Sequence, residues 1–268
     1  MNWNGFRPLP VSSFPPFAAL LLVLALVFAG CGRQSTSPVK PVPLTLEAMG
    51  VGGATQRFST SALTAAAASD TIPVTYTQAL LVVRDVHFAF EDGEEGDDTD
   101  TLAVEDDGAD DGSARFHGPY VIDLLSGTAQ TLDTELVPPG SYEHVQGHLR
   151  ALGPDDGPAS AFPSLIGATI RLEGTIGGDG GGSFVYSARI DNEFIIHGDF
   201  TIAAATPATA FLVFDLSRFL TDREGQFLDP RVAENDFLIK QAIRHAIKIG
   251  MDDDHDGEAD DDLTEVAN

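Results

Sequence analysis

The feature that most restricts this chain is an alternation of apolar and polar residues at a period of two, repeated along most of its length. In Ala168–Ile176, the residues Ala168, Ile170, Leu172, Gly174 and Ile176 face one way, and Thr169, Arg171, Glu173 and Thr175 face the other. Successive side chains of a strand point to opposite faces, so this pattern describes a strand with one dry side and one wet side. Ser183–Ile190 repeats it through Phe184, Tyr186, Ala188 and Ile190. Glu193–Ala203 does so with Phe194, Ile196, Phe200 and Ile202 inward and His197, Asp199 and Thr201 outward. Leu80–Phe90 is expected to put Leu80, Val82, Val86, Phe88 and Phe90 on one face, broken only by Arg84. Further strands are expected over Pro43–Met49, Tyr120–Leu125, Ser141–Arg150 and Ala210–Leu216. Turn-forming clusters separate them: Pro138-Pro139-Gly140, Gly153-Pro154-Asp155-Asp156-Gly157 and the glycine-rich 177–182. Roughly eight short antiparallel strands closing one core make an all-β chain, a sandwich of the immunoglobulin or transthyretin kind.

One segment has a different period. Between Asn235 and Ile249 the apolar residues fall as Leu238/Ile239, Ala242/Ile243 and Ala246/Ile247, which is a helical stripe. The expected C-terminal α-helix covers residues 234–250, with Asn235 as N-cap, Asp236 in the first turn and Gly250 just past the end. Lys240, Arg244 and Lys248 would form a basic row at i, i+4 spacing. Such a helix would cover an open face or edge of the sandwich.

The N-terminus carries its own signal. Phe17–Ala29 is an uninterrupted apolar run of thirteen residues. At 1.5 Å per residue it spans about 20 Å, short of a bilayer core of about 30 Å. That length fits the apolar region of a secretory signal. The run ends Leu26-Val27-Phe28-Ala29-Gly30-Cys31, which resembles the lipobox of bacterial lipoproteins. The resemblance implies a signal peptide over residues 1–30 and an acylated Cys31 as the anchor in a lipid bilayer. An ordinary secreted protein, cut nearby and carrying Cys31 as a free thiol, is the alternative. Gly32 after the cysteine resembles the outer-membrane sorting class. Residues 31–43 then read as the lipidated cysteine and a Ser/Thr/Pro-rich tether.

Four segments taken in order carry a further likeness: Ala79-Leu-Leu-Val-Val-Arg-Asp-Val-His-Phe, Gly118-Pro-Tyr-Val-Ile-Asp-Leu-Leu, Val137-Pro-Pro-Gly-Ser-Tyr and Phe214-Asp-Leu-Ser-Arg-Phe-Leu. Together they resemble uncharacterised bacterial lipoproteins with a β-sandwich domain of unknown function and an acidic C-terminal tail. The resemblance implies an envelope location, at the outer membrane or cell surface, and a sandwich over residues 44–233. It carries over no catalytic residue.

Charge sharpens the reading. The chain of 268 residues holds 15 Lys+Arg against 41 Asp+Glu, a formal net charge of -26, which excludes a nucleic-acid partner that needs a basic surface. Two segments hold 21 of the acids, twelve in Glu91–Gly112 and nine in Asp252–Glu265, so the acidity is local. Residues 91–112 have no fixed spacing and read as a solvated insertion between strands. The tail, residues 251–268, has register. Asp252, Asp254 and Asp256 alternate, Gly257 follows, and Asp260 comes four residues after Asp256. This is the opening of a calcium loop, in which alternate carboxylates on a curling chain supply some of the six to eight oxygens that Ca2+ takes at about 2.3–2.6 Å. Glu258 would offer its backbone carbonyl, and Asp260 would bind directly or through water. Leu263 stands where an EF-hand has its bidentate Glu, Glu265 comes two residues late, and Asp262 could close the shell instead. A solvated acidic terminus is the alternative.

Other chemistry finds little footing. His144 and His148 would share one face of a strand about 13 Å apart, too far to hold one metal. No Gly-x-Ser-x-Gly elbow, phosphate-binding loop or cysteine cluster occurs. Glu173 and Glu193 are two carboxylates with no spacing that favours them as a glycosidase pair. The expectation is therefore a non-enzymatic, membrane-anchored binding or structural module, possessing an unidentified protein or glycan partner and a calcium-stabilised tail. A divalent-metal-dependent envelope hydrolase is the alternative.

Overall fold

The computed structural model describes residues 40–59, 71–90, 113–178, 181–252 and 263–266. Within them the chain is an all-β sandwich with one α-helix near its C-terminal end. Thirteen strands are present among the described residues: β1 Val42–Val51, β2 Thr55–Ser59, β3 Thr71–Phe90, β4 Ala114–Phe116, β5 Tyr120–Asp123, β6 Gln130–Val137, β7 Gly140–Leu149, β8 Ile170–Ile176, β9 Gly182–Ala188, β10 Asn192–Ile202, β11 Ala208–Asp215, β12 Ile247–Met251 and β13 Thr264–Glu265. The helix, α1, is Asp236–His245.

One sheet runs β13-β12-β11-β1-β6. Its pairs are antiparallel except β1 and β11, which run parallel from Leu44↔Ala208 to Val51↔Asp215. The antiparallel expectation did not include this pair. Parallel neighbours need a long crossover, and here the whole of the second sheet lies between them in the chain. Central β11 is buried on both faces through the unbroken run Ala210–Phe214, as a strand flanked on both sides tends to be.

The second sheet is organised around β3. At Leu80 and Leu81 it pairs with both β5 and β8, and at Val83 with both β5 and β7. So β8 and β7 follow one another along one edge, while β2, β5 and β4 share the other. The edges finish with β9 beyond β8 and β10 beyond β7.

The long strand changes face midway. Asp85 takes a positive φ of 46°, and the register to β7 slips between Arg84 and His87. A bulge adds a residue and shifts the alternation by one position. Leu81, Val83, Val86 and Phe88 therefore enter the main core, while Leu80 and Val82 turn to the opposite face and pack with Leu152, Ala159 and Leu165. This corrects the expectation that Leu80, Val82, Val86 and Phe88 share a face. Arg84, which interrupted the pattern, ion-pairs with Asp156 in the segment covering that outer face.

The inward positions expected for Ile170–Ile176, Phe184–Ile190 and Phe194–Ile202 are buried. They meet Leu44, Leu46 and Ala48 of β1 and Leu212 and Phe214 of β11 in one core between the sheets. Phe88 sits at its aromatic centre, edge-on to Phe116, Tyr142 and Phe200 with ring centres 6.0, 6.1 and 6.3 Å away.

The helix is shorter than its stripe. It packs Ile239 and Ile243 into the core, ends at His245, and the chain continues at once into β12. Ile247 and Ile249 alternate inward as strand residues, paired with Phe214 and Leu212. A periodicity of 3.6 and one of 2 agree over so short an overlap, and pairing to β11 decided between them. Gly250 is thus a strand residue, and Lys248 leaves the basic helical row. Asn235 stands at the N-cap position as expected, but its side chain makes no capping hydrogen bond. It is the last residue of a 3-10 turn, Ala233–Asn235, and its side-chain amide donates to the Asp229 carbonyl at 3.0 Å.

Candidate functional site

The acidic run near the C-terminus is bracketed by sheet. β12 pairs with β13 through Lys248↔Glu265 and Ile249↔Thr264, and Val266 is buried in the core. Asp252, at the start of the run, is buried, and its backbone N–H donates to the Thr209 carbonyl at 3.0 Å. Residues 253–262 thus connect two paired strands rather than trail from the last element. Of the expected calcium ligands only Asp252 is described. Asp254, Asp256, Glu258, Asp260 and Asp262 lie outside the described residues, as do Cys31 and the insertion 91–112.

Glu265 is held by cations. Its Oε1 accepts from Arg218 Nη1 at 2.9 Å and lies 3.0 Å from Lys248 Nζ. Hydrogen bonding from Lys248 and Arg218 outweighs burial and holds the carboxyl below its ordinary 4.5. The two-residue strand β13 is therefore pinned by its side chain as well as its backbone.

Arg218 also borders a hollow at this end. Beyond β11, Asp215 Oδ1 accepts from Ser217 N at 3.0 Å and closes a 3-10 turn that turns the chain outward. A tight loop follows, in which Asp222 Oδ1 accepts from the backbone of Glu224 at 3.0 Å and Gln226 at 2.7 Å. Between this loop and α1 lies a cavity of about 700 Å3, with Arg218, Arg223 and His245 among its lining groups and Leu238 and Ala242 as an apolar wall. His245 is held below its ordinary 6.5, first by burial and then by the cations Arg223, Arg244 and Arg218. Asp222 and Glu224 line the same hollow.

A second group of side chains lies on the outer face of the β7·β10 pair. His144 and His197 are direct cross-strand partners, with ring centres 5.6 Å apart and planes tilted by 49°. A register shift follows them immediately, where Glu143 of β7 stands opposite Gly198 and Asp199 of β10. Glu143 and Asp199 are exposed, and they lie between the buried Tyr142 and Val145 on one strand and Ile196 and Phe200 on the other. The strand spacing considered for His144 and His148 missed this partner. β7 and β10 are separated in sequence by β8 and β9, so their register could not be counted from a turn.

The carboxylates Glu173 and Glu193 are not brought together. Glu173 sits on β8 against Arg171 at 2.6 Å, and Glu193 sits on β10 against the Gln146 amide. Among the described residues no group of three or more His, Cys, Asp or Glu is arranged to hold a metal, and no helix is long and apolar enough to cross a membrane. No family model, no curated protein and no solved structure matches the chain.

Proposed function

We propose that this is a bacterial envelope lipoprotein, anchored in the outer membrane or at the cell surface by acylated Cys31, whose β-sandwich serves as a binding or structural module. The observation that carries the reading is the position of the only cysteine, directly after Ala29-Gly30 at the end of a thirteen-residue apolar run. The first described strand begins at Val42, eleven residues after that cysteine, which leaves a tether between anchor and sandwich. More than one acyl chain gives stable anchoring, at about 0.8 kcal/mol per buried CH2. The cavity beside α1 combines cationic, hydrogen-bonding and apolar walls, which suits a protein or glycan partner contacted through a mixed surface. The test is fractionation of cells expressing the full chain or Cys31→Ser, with mass spectrometry of the N-terminal peptide. Diacylglyceryl-modified Cys31 and release of the variant from membranes are expected. An unmodified N-terminus created by cleavage elsewhere would overturn the anchor.

Within that reading calcium stabilises the acidic connection. Supporting it is the closure of residues 253–262 by β12 and β13, because a loop fixed at both ends loses less chain entropy on binding than a free tail. The Asp252/Asp254/Asp256 triple Ala variant is expected to lose a single saturable calcium site in calorimetric titration. A flat trace for the unaltered chain would reduce the loop to solvated charge.

A further inference from the structure

We propose that His144 and His197 form a two-imidazole chelate for a late first-row divalent cation, Zn2+ or Cu2+, on the outer face of the β7·β10 pair. Two imidazoles bound to one tetrahedral ion, each through a nitrogen at about 2.0–2.1 Å, bring their ring centres to about 5.2 Å. The observed separation is 5.6 Å, within a few tenths of an ångström of that value. Direct cross-strand partners keep that spacing without help from side-chain packing, because the backbone ladder on either side of Ile196↔Val145 sets it.

The surroundings favour a cation. Glu143 and Asp199, exposed at the adjoining register shift, add negative charge on the same outer face. Imidazole nitrogen selects zinc and copper over the hard ions that prefer oxygen, so this site and the acidic loop would sort cations by donor type. Two protein ligands leave the remaining positions to water.

Zinc titration of the EDTA-stripped, full-length protein in millimolar calcium tests the assignment, because excess calcium competes with zinc for carboxylate oxygens and not for imidazole nitrogen. The expected result is one Zn2+ per chain, weakened about tenfold or more in His144→Gln and in His197→Gln, and unchanged in His148→Gln. The Cu2+ electron paramagnetic resonance spectrum of the unaltered protein should carry splitting from two nitrogens. That spectrum decides the matter even where a variant fails to fold. A flat titration, affinity in both His144→Gln and His197→Gln unchanged from the unaltered protein, a loss in His148→Gln as large as in the others, or a copper spectrum without nitrogen splitting would each overturn the proposal.

Discussion

Gly147→Ala separates two readings of the same residue. A glycine inside a strand costs about 0.5–1 kcal/mol relative to alanine through chain entropy, so strand propensity alone expects the substitution to stabilise. The tertiary structure reverses the sign. Gly147 faces inward on β7 directly opposite Phe194 of β10, and a Cβ there would stand 2.3 Å from Phe194 Cζ and 2.8 Å from Cε1. Phe194 is fully buried, so its ring has nowhere to withdraw. Overpacking costs about 1–3 kcal/mol, and a contact this short against a buried ring takes the upper part, about 2–3 kcal/mol, which leaves a net loss of about 1–2.5 kcal/mol after the entropic gain. For a body of this size that lowers Tm by about 2–10 °C at 2–4 °C per kcal/mol. Urea unfolding of the two proteins, read at unchanged m, measures the difference. Phe194→Ala should cost about 3–5 kcal/mol alone, and the double variant should cost less than the sum because the clashing atoms are gone. Gly53→Ala is not a suitable control, since its φ is +72°; Gly157, with open space around it, is. Neutral or improved stability of Gly147→Ala would refute the packing of Phe194 over β7.

Three other outcomes follow from named contacts. Asp156→Ala should destabilise by about 1–3 kcal/mol, because it leaves the half-buried Arg84 without its carboxylate and removes the acceptor for Gly153 N at 2.6 Å; denaturant unfolding reads this. His245 has its protonation disfavoured in the folded state, so its contribution is complete above about pH 6.5 and is lost as pH falls through the lower folded value. Thermal melts from neutral to mildly acidic pH should therefore fall less steeply in His245→Gln, and parallel slopes would contradict this. Glu265 behaves alike in a more acidic window, with its contribution complete above about 4.5 and lost on further acidification; Glu265→Gln should flatten that part of the profile.

The sandwich was legible in the chain because burial on one face of a sheet writes itself as alternation. Ile170, Leu172, Phe184, Tyr186, Phe194 and Ile196 were assigned inward from spacing alone, and all are buried. The helix was legible through Ile239 and Ile243, and its end was not, since Ile247 and Ile249 satisfy a helical stripe and a strand equally over one turn. The calcium-loop spacing was visible, yet only one of its residues, Asp252, falls among those the structure describes.

What the sequence determined by itself are the local quantities: strand faces, turn positions, the apolar run before Cys31 and the concentration of acids in two segments. These depend on neighbours within a few residues, where periodicity and chain chemistry act directly. The tertiary structure alone decided which strands meet. It set β1 parallel to β11, turned Leu80 and Val82 away from Val86 at the Asp85 bulge, brought Arg218 to Glu265 and placed His144 against His197. Each of these joins residues far apart in the chain. The free energy that selects them comes from burying one shared core, a sum over the whole fold that no local window contains.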